Sequence, residues 1–186
     1  MIHVRIGSDT AGILLAKLLK PEIGDGQINL RVSRQTSALY ASAKTLVAVK
    51  NEPVALVLNA DSTEPAMSDR VRDDAAEVIG EFAAAASLRI LVAVPSIESL
   101  LFHCPEAVRR AFSPTSPYLI DLGLISPGDA LRKLQGATDR HDAALQIIAK
   151  LNDDDITALR RASPVRDILE FLEEVRSGKT LASTTI

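Results

Sequence analysis

The sequence contains few aromatic residues and no excess of basic ones. Its 186 residues include no Trp, two Tyr and four Phe, so aromatics make up 3%. A site for single-stranded nucleic acid that relies on stacked aromatic rings has little to draw on here. The 21 Lys and Arg are outnumbered by 24 Asp and Glu, which gives a formal net charge of −3. This balance disfavours nonspecific binding to a phosphate backbone, although it leaves a local basic patch open.

Cysteine, clustered histidine and long apolar segments are also scarce. Cys104 is the one cysteine of the chain, which excludes an intramolecular disulfide and a zinc site made of several thiolates. The three histidines are far apart and show no metal-ligand spacing. No stretch approaches the roughly 18 continuous apolar residues of a membrane span, and the first residues lack the apolar run of a signal peptide. We therefore expect a soluble cytoplasmic protein that does not enter a membrane.

The first 95 residues alternate between strand and helix patterns. Strands are predicted over residues 2–6, 28–32, 54–58 and 88–94, and helices over residues 11–19, 37–49 and 68–86. The segment 54–58 is a continuous apolar run, which is typical of a strand buried on both faces of a parallel sheet. Strands separated by helices favour parallel pairing with helices on both faces. The sequence therefore predicts a three-layer α/β fold with a mainly parallel sheet.

After Pro95 the pattern becomes helical. Helices are predicted over residues 96–102, 106–112, 127–134, 139–151, 153–161 and 164–175, and residues 177–186 are predicted to fray. The proline-rich segment 113–117 is the predicted boundary between an α/β core of residues 1–112 and a helical C-terminal extension of residues 113–186 that packs on the core. The extension is rich in aliphatic residues. Some of them could form a surface for a protein partner or for a homo-oligomer.

Acidic residues follow three of the predicted strands. Asp9 comes after the first strand, Asp61 after the third and Glu98 after the fourth. Ligands of open α/β sheets bind beyond the carboxyl ends of the strands, and a hard cation such as Mg²⁺ takes oxygen ligands. These three carboxylates are the candidate Mg²⁺ ligands. Each also has a structural interpretation: Asp61 as a turn residue, Asp9 as a helix N-cap, and Glu98 as an acidic residue that favours the start of a helix.

The same edge of the sheet offers candidate phosphate contacts. Gly7 and Ser8 precede the first helix, where backbone N–H groups can bind a phosphate. Arg34 follows the second strand and could contact an anion. A solvated loop arginine and a simple turn before a helix are the structural alternatives.

The acidic residues at the strand ends resemble a known pattern. A strand, a glycine turn with an acid, a helix and then an apolar strand that ends in Asn59-Ala60-Asp61 is similar to the Toprim domain of topoisomerases, primases and OLD-family nucleases. A later proline followed by an acid and leucines is matched by Pro95-Ser96-Ile97-Glu98-Ser99-Leu100-Leu101. The resemblance covers about residues 1–112 and is closest to small standalone Toprim-like proteins.

Two departures from that family bear on activity. The family generally places a glutamate before the glycine of the first turn, where this chain has Ile6, and an aspartate at the start of Asp-x-Asp, where this chain has Asn59. Asp61 keeps the second position. The loss of two carboxylates should weaken divalent-metal binding and remove the group that the family implies for proton transfer.

These observations predict a noncatalytic or regulatory Toprim-like protein linked to nucleic-acid metabolism or bacterial defence. A Mg²⁺-dependent nuclease or phosphoesterase is the first alternative, with Asp61 as metal ligand and Asp9 or Glu98 completing the site. A nucleotide- or small-molecule-binding α/β protein that uses the turn at Gly7 and Ser8 is the second. Direct nucleic-acid binding has no support from the net charge.

Overall fold

A sheet of parallel strands forms the centre of the molecule. The computed structural model describes residues 1–80, 88–134 and 139–178. The strands are β1 (Ile2–Ile6), β2 (Ile28–Val32), β3 (Val54–Asn59) and β4 (Leu88–Ala93). They pair in the order β2-β1-β3-β4, and every pairing is parallel. The predicted parallel sheet is confirmed.

The burial of each strand matches its position in the sheet. Val54 to Leu58 of β3 are all buried between β1 and β4, as the continuous apolar run predicts. The edge strand β2 is buried at Ile28 but exposed at Arg31 and Val32. Strands inside a sheet lose solvent on both faces, whereas an edge strand keeps part of its surface in water.

Helical segments cover both faces of the sheet. They are α1 (Asp9–Leu18), α2 (Lys20–Gly24), α3 (Thr36–Lys44), a π-helical turn (Thr45–Val49), α4 (Pro65–Gly80), a 3₁₀ segment (Ile97–His103), α5 (Pro105–Ala111), α6 (Pro117–Ile125), α7 (Pro127–Lys133), α8 (Arg140–Lys150), α9 (Asp153–Arg160) and α10 (Val165–Arg176). On one face, α3, the π-helical turn and α4 pack with Leu56 and Leu58 of β3. On the other face, Ile2 and Val4 of β1 share a core with α1 and the C-terminal helices. This arrangement is the predicted three-layer α/β fold.

Helix α1 begins one residue earlier than an Asp9 cap would place it. Ser8 has an extended backbone, and its Oγ accepts a hydrogen bond from the Ala11 N–H, so Ser8 is the N-cap and Asp9 lies in the first turn. Gly12 allows the helix to approach the sheet, because a Cβ there would come within 2.3 Å of Val32 Cγ2. The interpretation of Asp9 as the N-cap is wrong, because the serine hydroxyl takes that position.

Some local expectations differ from the structure. The predicted helix 37–49 changes to a π-helical turn after Lys44, and the predicted helix 96–102 is a 3₁₀ segment. Residues 81–86, which were predicted as the end of a helix, lie outside the described residues. Helix α6 was not predicted at all: Ser116 caps it and Pro117 occupies its first turn, where a missing N–H costs nothing. Its sequence is apolar nearly throughout, so no helical periodicity marked it.

The C-terminal helices share a core with the sheet. Ile147, Ile168 and Phe171 belong to the same buried cluster as Ile2 and Val4. The division into residues 1–112 and 113–186 stays a prediction. No helix within the described residues is long and apolar enough to cross a membrane.

Candidate site at the strand ends

A cavity of about 540 Å³ opens at the carboxyl ends of β1, β3 and β4. We call it the strand-end cavity. Ser8, Asn59, Asp61 and Glu98 line it, and Arg140 at the start of α8 contributes a guanidinium. The structure therefore brings two of the three candidate metal ligands, and one candidate phosphate contact, to a single cavity.

Asp61 is held in an unusual backbone conformation. Its φ of 53° lies in the left-handed region, which few residues other than glycine adopt, although aspartate tolerates it better than most. The Asp61 N–H donates to the Pro95 carbonyl at 2.8 Å, so the turn after β3 is tied to the end of β4. The side chain is exposed. Its backbone is thus fixed while its carboxylate remains accessible from the cavity.

Glu98 lies in the 3₁₀ segment and is only partly exposed. Its Oε1 accepts a hydrogen bond of 3.0 Å from Ser8 Oγ. The same serine oxygen accepts from the Ala11 N–H, so one hydroxyl caps α1 and orients a cavity carboxylate. The contact joins two loops that are 90 residues apart in sequence.

The two positions where the resembled family has acids are occupied differently. Asn59 Oδ1 accepts a hydrogen bond of 3.2 Å from the Ile97 N–H, so its amide oxygen supports the backbone beyond β4. Ile6 is 2% exposed and belongs to the buried cluster beneath α1. Neither side chain brings negative charge to the cavity.

Three other predicted residues lie outside the lining of the strand-end cavity. Asp9 and Arg34 form an ion pair with each other. Hydrogen bonding from Arg34 holds the pKa of the Asp9 carboxyl below its ordinary value. Gly7 is exposed, and a Cβ at Gly7 would meet only ordinary contacts at 3.8 and 3.9 Å. No close approach therefore requires a glycine at that position.

The described residues contain no group of three or more His, Cys, Asp or Glu side chains placed to hold a metal ion. Asp61 and Glu98 line the strand-end cavity together with the Arg140 guanidinium, whose positive charge disfavours a cation. The assignment of Asp9, Asp61 and Glu98 to Mg²⁺ stays a prediction. An arrangement of two carboxylates, one guanidinium and several hydroxyls is suited to binding a polar ligand by hydrogen bonds.

Sequence reasoning missed Arg140. The predicted helix 139–151 contained it, but no local signal places the start of that helix beside the sheet edge. Its position depends on the packing of α8 against α1 and α5, which is a tertiary contact.

The fold and its strand-end cavity define a three-layer α/β protein with a parallel sheet. No protein-family model matches the chain, and no curated protein matches its sequence. Among solved structures, the chain is similar to the C-terminal region of the OLD protein of Xanthomonas campestris pv. campestris, with a TM-score of 0.53 and 12% sequence identity. The match covers 96% of this chain and 94% of that one. The likeness thus extends over the C-terminal helices as well as the sheet.

Proposed function

We propose that this chain is a noncatalytic, Toprim-like binding or assembly module linked to nucleic-acid metabolism. The main support comes from the two positions at which the Toprim family has acidic residues. In this chain Ile6 is packed in the core, and Asn59 accepts a hydrogen bond from the backbone N–H of Ile97. Neither residue supplies the carboxylate that metal-assisted catalysis would need at its position. The similarity in fold to the OLD protein's C-terminal region supports the nucleic-acid setting.

The charges around the strand-end cavity support the same proposal. Asp61 is exposed, Glu98 is engaged by Ser8, and Arg140 lies in the same lining. Phosphoryl transfer assisted by metal requires carboxylates that hold the cation and a group that accepts a proton. With Arg140 beside the two carboxylates, the cavity favours ligand binding over that chemistry.

The test restores one acid and measures metal binding. Asn59→Asp preserves the size of the side chain and its acceptor for the Ile97 N–H, and it recreates Asp-x-Asp with Asp61. Mn²⁺ is titrated into each protein, and binding is measured by calorimetry and by electron paramagnetic resonance. The unaltered chain should bind Mn²⁺ weakly, and Asn59→Asp should bind it about tenfold more tightly. The double variant Asn59→Asp with Asp61→Ala is the matched control and should lose that gain.

Cleavage assays decide between the proposal and the nuclease alternative. Supercoiled plasmid and single-stranded DNA are incubated with the unaltered chain and Mg²⁺ or Mn²⁺, and we expect both substrates to remain intact. Metal-dependent cleavage that Asp61→Ala abolishes would show that the chain is an enzyme and overturn the proposal.

A further inference from the structure

A second cavity lies between β1, β2 and α3, on the face of the sheet that α3 covers. Its volume is about 370 Å³. We call it the basic cavity, because Arg5, Arg31 and Lys50 are among its lining residues together with His3 and Asn29. It shares no lining residue with the strand-end cavity, and its interpretation does not depend on the proposed function.

Strand register places two arginines side by side. β1 and β2 are parallel, with His3 opposite Asn29 and Arg5 opposite Arg31. Neighbouring like charges on one face of a sheet are destabilising. Burial, and then the charge of Arg31, lower the pKa of Arg5. The sheet therefore accepts an electrostatic cost at this place that an apolar pair would avoid.

Arg5 is buried and bonded to neutral acceptors. It is 4% exposed, and its Nε donates to Ser42 Oγ at 3.2 Å while Nη1 donates to the Asn29 carbonyl at 3.0 Å. Nη2 lies 3.1 Å from His3 Nδ1. A buried guanidinium usually faces a carboxylate, because desolvating an unpaired charge is costly. These bonds fix the orientation of Arg5 without neutralising its charge.

His3 contributes a buried nitrogen without a hydrogen bond. Arg5 can only donate, so His3 Nδ1 accepts and the proton of the neutral ring is on Nε2. His3 is 6% exposed, and its Nε2 atom is buried. This atom lies 2.9 Å from Glu52 Oε2, which is an ion-pair distance, but it makes no hydrogen bond. The negative charge of Glu52 acts on both His3 and Arg5. It is opposed by three positive charges in the lining, those of Arg5, Arg31 and Lys50. The surroundings of the cavity therefore stay net positive.

The wall made by α3 is also suited to a ligand. The helix changes to a π-helical turn at Thr45, and π-helical turns are frequent at functional sites. This turn ends beside Lys50, whose N–H bonds to the Thr45 carbonyl at 3.2 Å. Ser42 Oγ accepts from Arg5, which leaves its own proton free to be donated. One hydroxyl donor and three cations thus surround a space at the small end of the range for ligand sites.

We propose that the basic cavity binds a small phosphate-bearing anion, with Arg5 and Arg31 as the main contacts and Lys50 at the entrance. A bound phosphate would offset the repulsion between the paired arginines. Planar guanidinium groups suit phosphate oxygens, because they present several donors in a fixed geometry. The size of the cavity favours a free phosphate compound over a nucleic-acid backbone.

The test uses pyrophosphate as probe, with calorimetry and thermal unfolding as readouts. Binding should raise the midpoint of unfolding, since a ligand of the native state stabilises it. Arg31→Gln and Lys50→Gln change exposed side chains and should preserve the fold. Each should weaken pyrophosphate binding by about tenfold, and the double variant should remove it. Arg72→Gln, at an exposed position of α4, is the matched control and should bind as the unaltered chain does.

Two further experiments identify the ligand and locate its binding site. Amide chemical shifts should change near Arg5, Arg31 and Ser42 on adding pyrophosphate, and inorganic phosphate should compete. No saturable binding of pyrophosphate, or equal weakening by Arg72→Gln, would overturn the proposal. Tighter binding of a single-stranded DNA oligonucleotide that depends on Arg31 and Lys50 would also overturn it, in favour of a nucleic-acid surface.

Discussion

At the scale of single residues, a partly buried ion pair between Arg160 and Glu22 connects the C-terminal helices to the first half of the chain. The Arg160 Nη1 and Nη2 atoms contact the Glu22 carboxylate at 3.0 and 2.5 Å, and Nη1 also donates to the Leu18 carbonyl at 2.6 Å. Glu22→Gln should lower the free energy of unfolding at pH 7 by about 1–2 kcal/mol, because a charge-assisted bidentate contact is lost. Urea unfolding followed by circular dichroism measures the change. Glu106→Gln, which alters an exposed pair with Arg109, should have a smaller effect.

The contribution of Glu22 should depend on pH. Hydrogen bonding from Arg160 lowers the pKa of Glu22 below its ordinary value of 4.5. A lowered pKa stabilises the folded state above the unfolded-state value, and that stabilisation is lost as the pH falls through the folded-state value. The difference in stability between the unaltered chain and Glu22→Gln should therefore shrink from pH 7 to pH 3. A difference that stays constant across this range would contradict the assignment.

Sequence reasoning reached only part of the candidate site, and the reason lies in these residue-scale contacts. Asp61 and Glu98 could be placed at one sheet edge because parallel strands end together. The pairing of Asp9 with Arg34, and the arrival of Arg140, depend on side-chain geometry and on packing between distant helices. The basic cavity did leave a signal: His3 and Arg5 alternate with apolar residues in β1, as Asn29 and Arg31 do in β2, but the register that aligns them is a tertiary property.

At the scale of elements, the sequence predicts the strands better than the helices that follow the sheet. All four strands follow from apolar runs or alternation, and the end of β4 was predicted one residue too late. Helix α6 escaped detection because it is apolar on nearly all sides, so only its cap at Ser116 and the proline after it mark its start. Periodicity identifies helices whose exposed face is polar, whereas the exposed face of α6 includes Tyr118, Leu124 and Ile125.

The packing of α6 gives an element-scale prediction. Gly123 faces the ring of Phe102 so closely that a Cβ would come within 2.1 Å of it, and Phe102 is 1% exposed, so a methyl group there would force packed neighbours to shift. Gly123→Ala should lower the free energy of unfolding by about 1–3 kcal/mol. Gly24→Ala in α2 is the matched control: a Cβ there meets nothing within 4 Å, so its effect should be neutral or stabilising by up to about 1 kcal/mol. Equal effects of the two variants in urea unfolding would contradict the packing argument.

At the scale of the whole molecule, one core joins the sheet to the C-terminal helices. Leu14 and Leu15 of α1 belong to the same buried cluster as Ile147 of α8 and Phe171 of α10. Polar contacts follow the same path, since Lys17 Nζ donates to the Ile148 carbonyl at 2.5 Å. The C-terminal helices pack on α1, α5 and the 3₁₀ segment. They contribute apolar area to this core that residues 1–112 do not replace.

A fragment of residues 1–112 should consequently fail to fold cooperatively, although the proline-rich segment resembles a domain boundary. Without α8 to α10, the apolar face of α1 would be exposed to water and would bind hydrophobic dyes. The full chain should unfold in a single thermal transition, with coincident far- and near-ultraviolet circular dichroism. The fragment should keep some far-ultraviolet signal, lose the near-ultraviolet signal and bind anilinonaphthalene sulfonate. A fragment that unfolds cooperatively without binding the dye would instead support two units divided at residue 112.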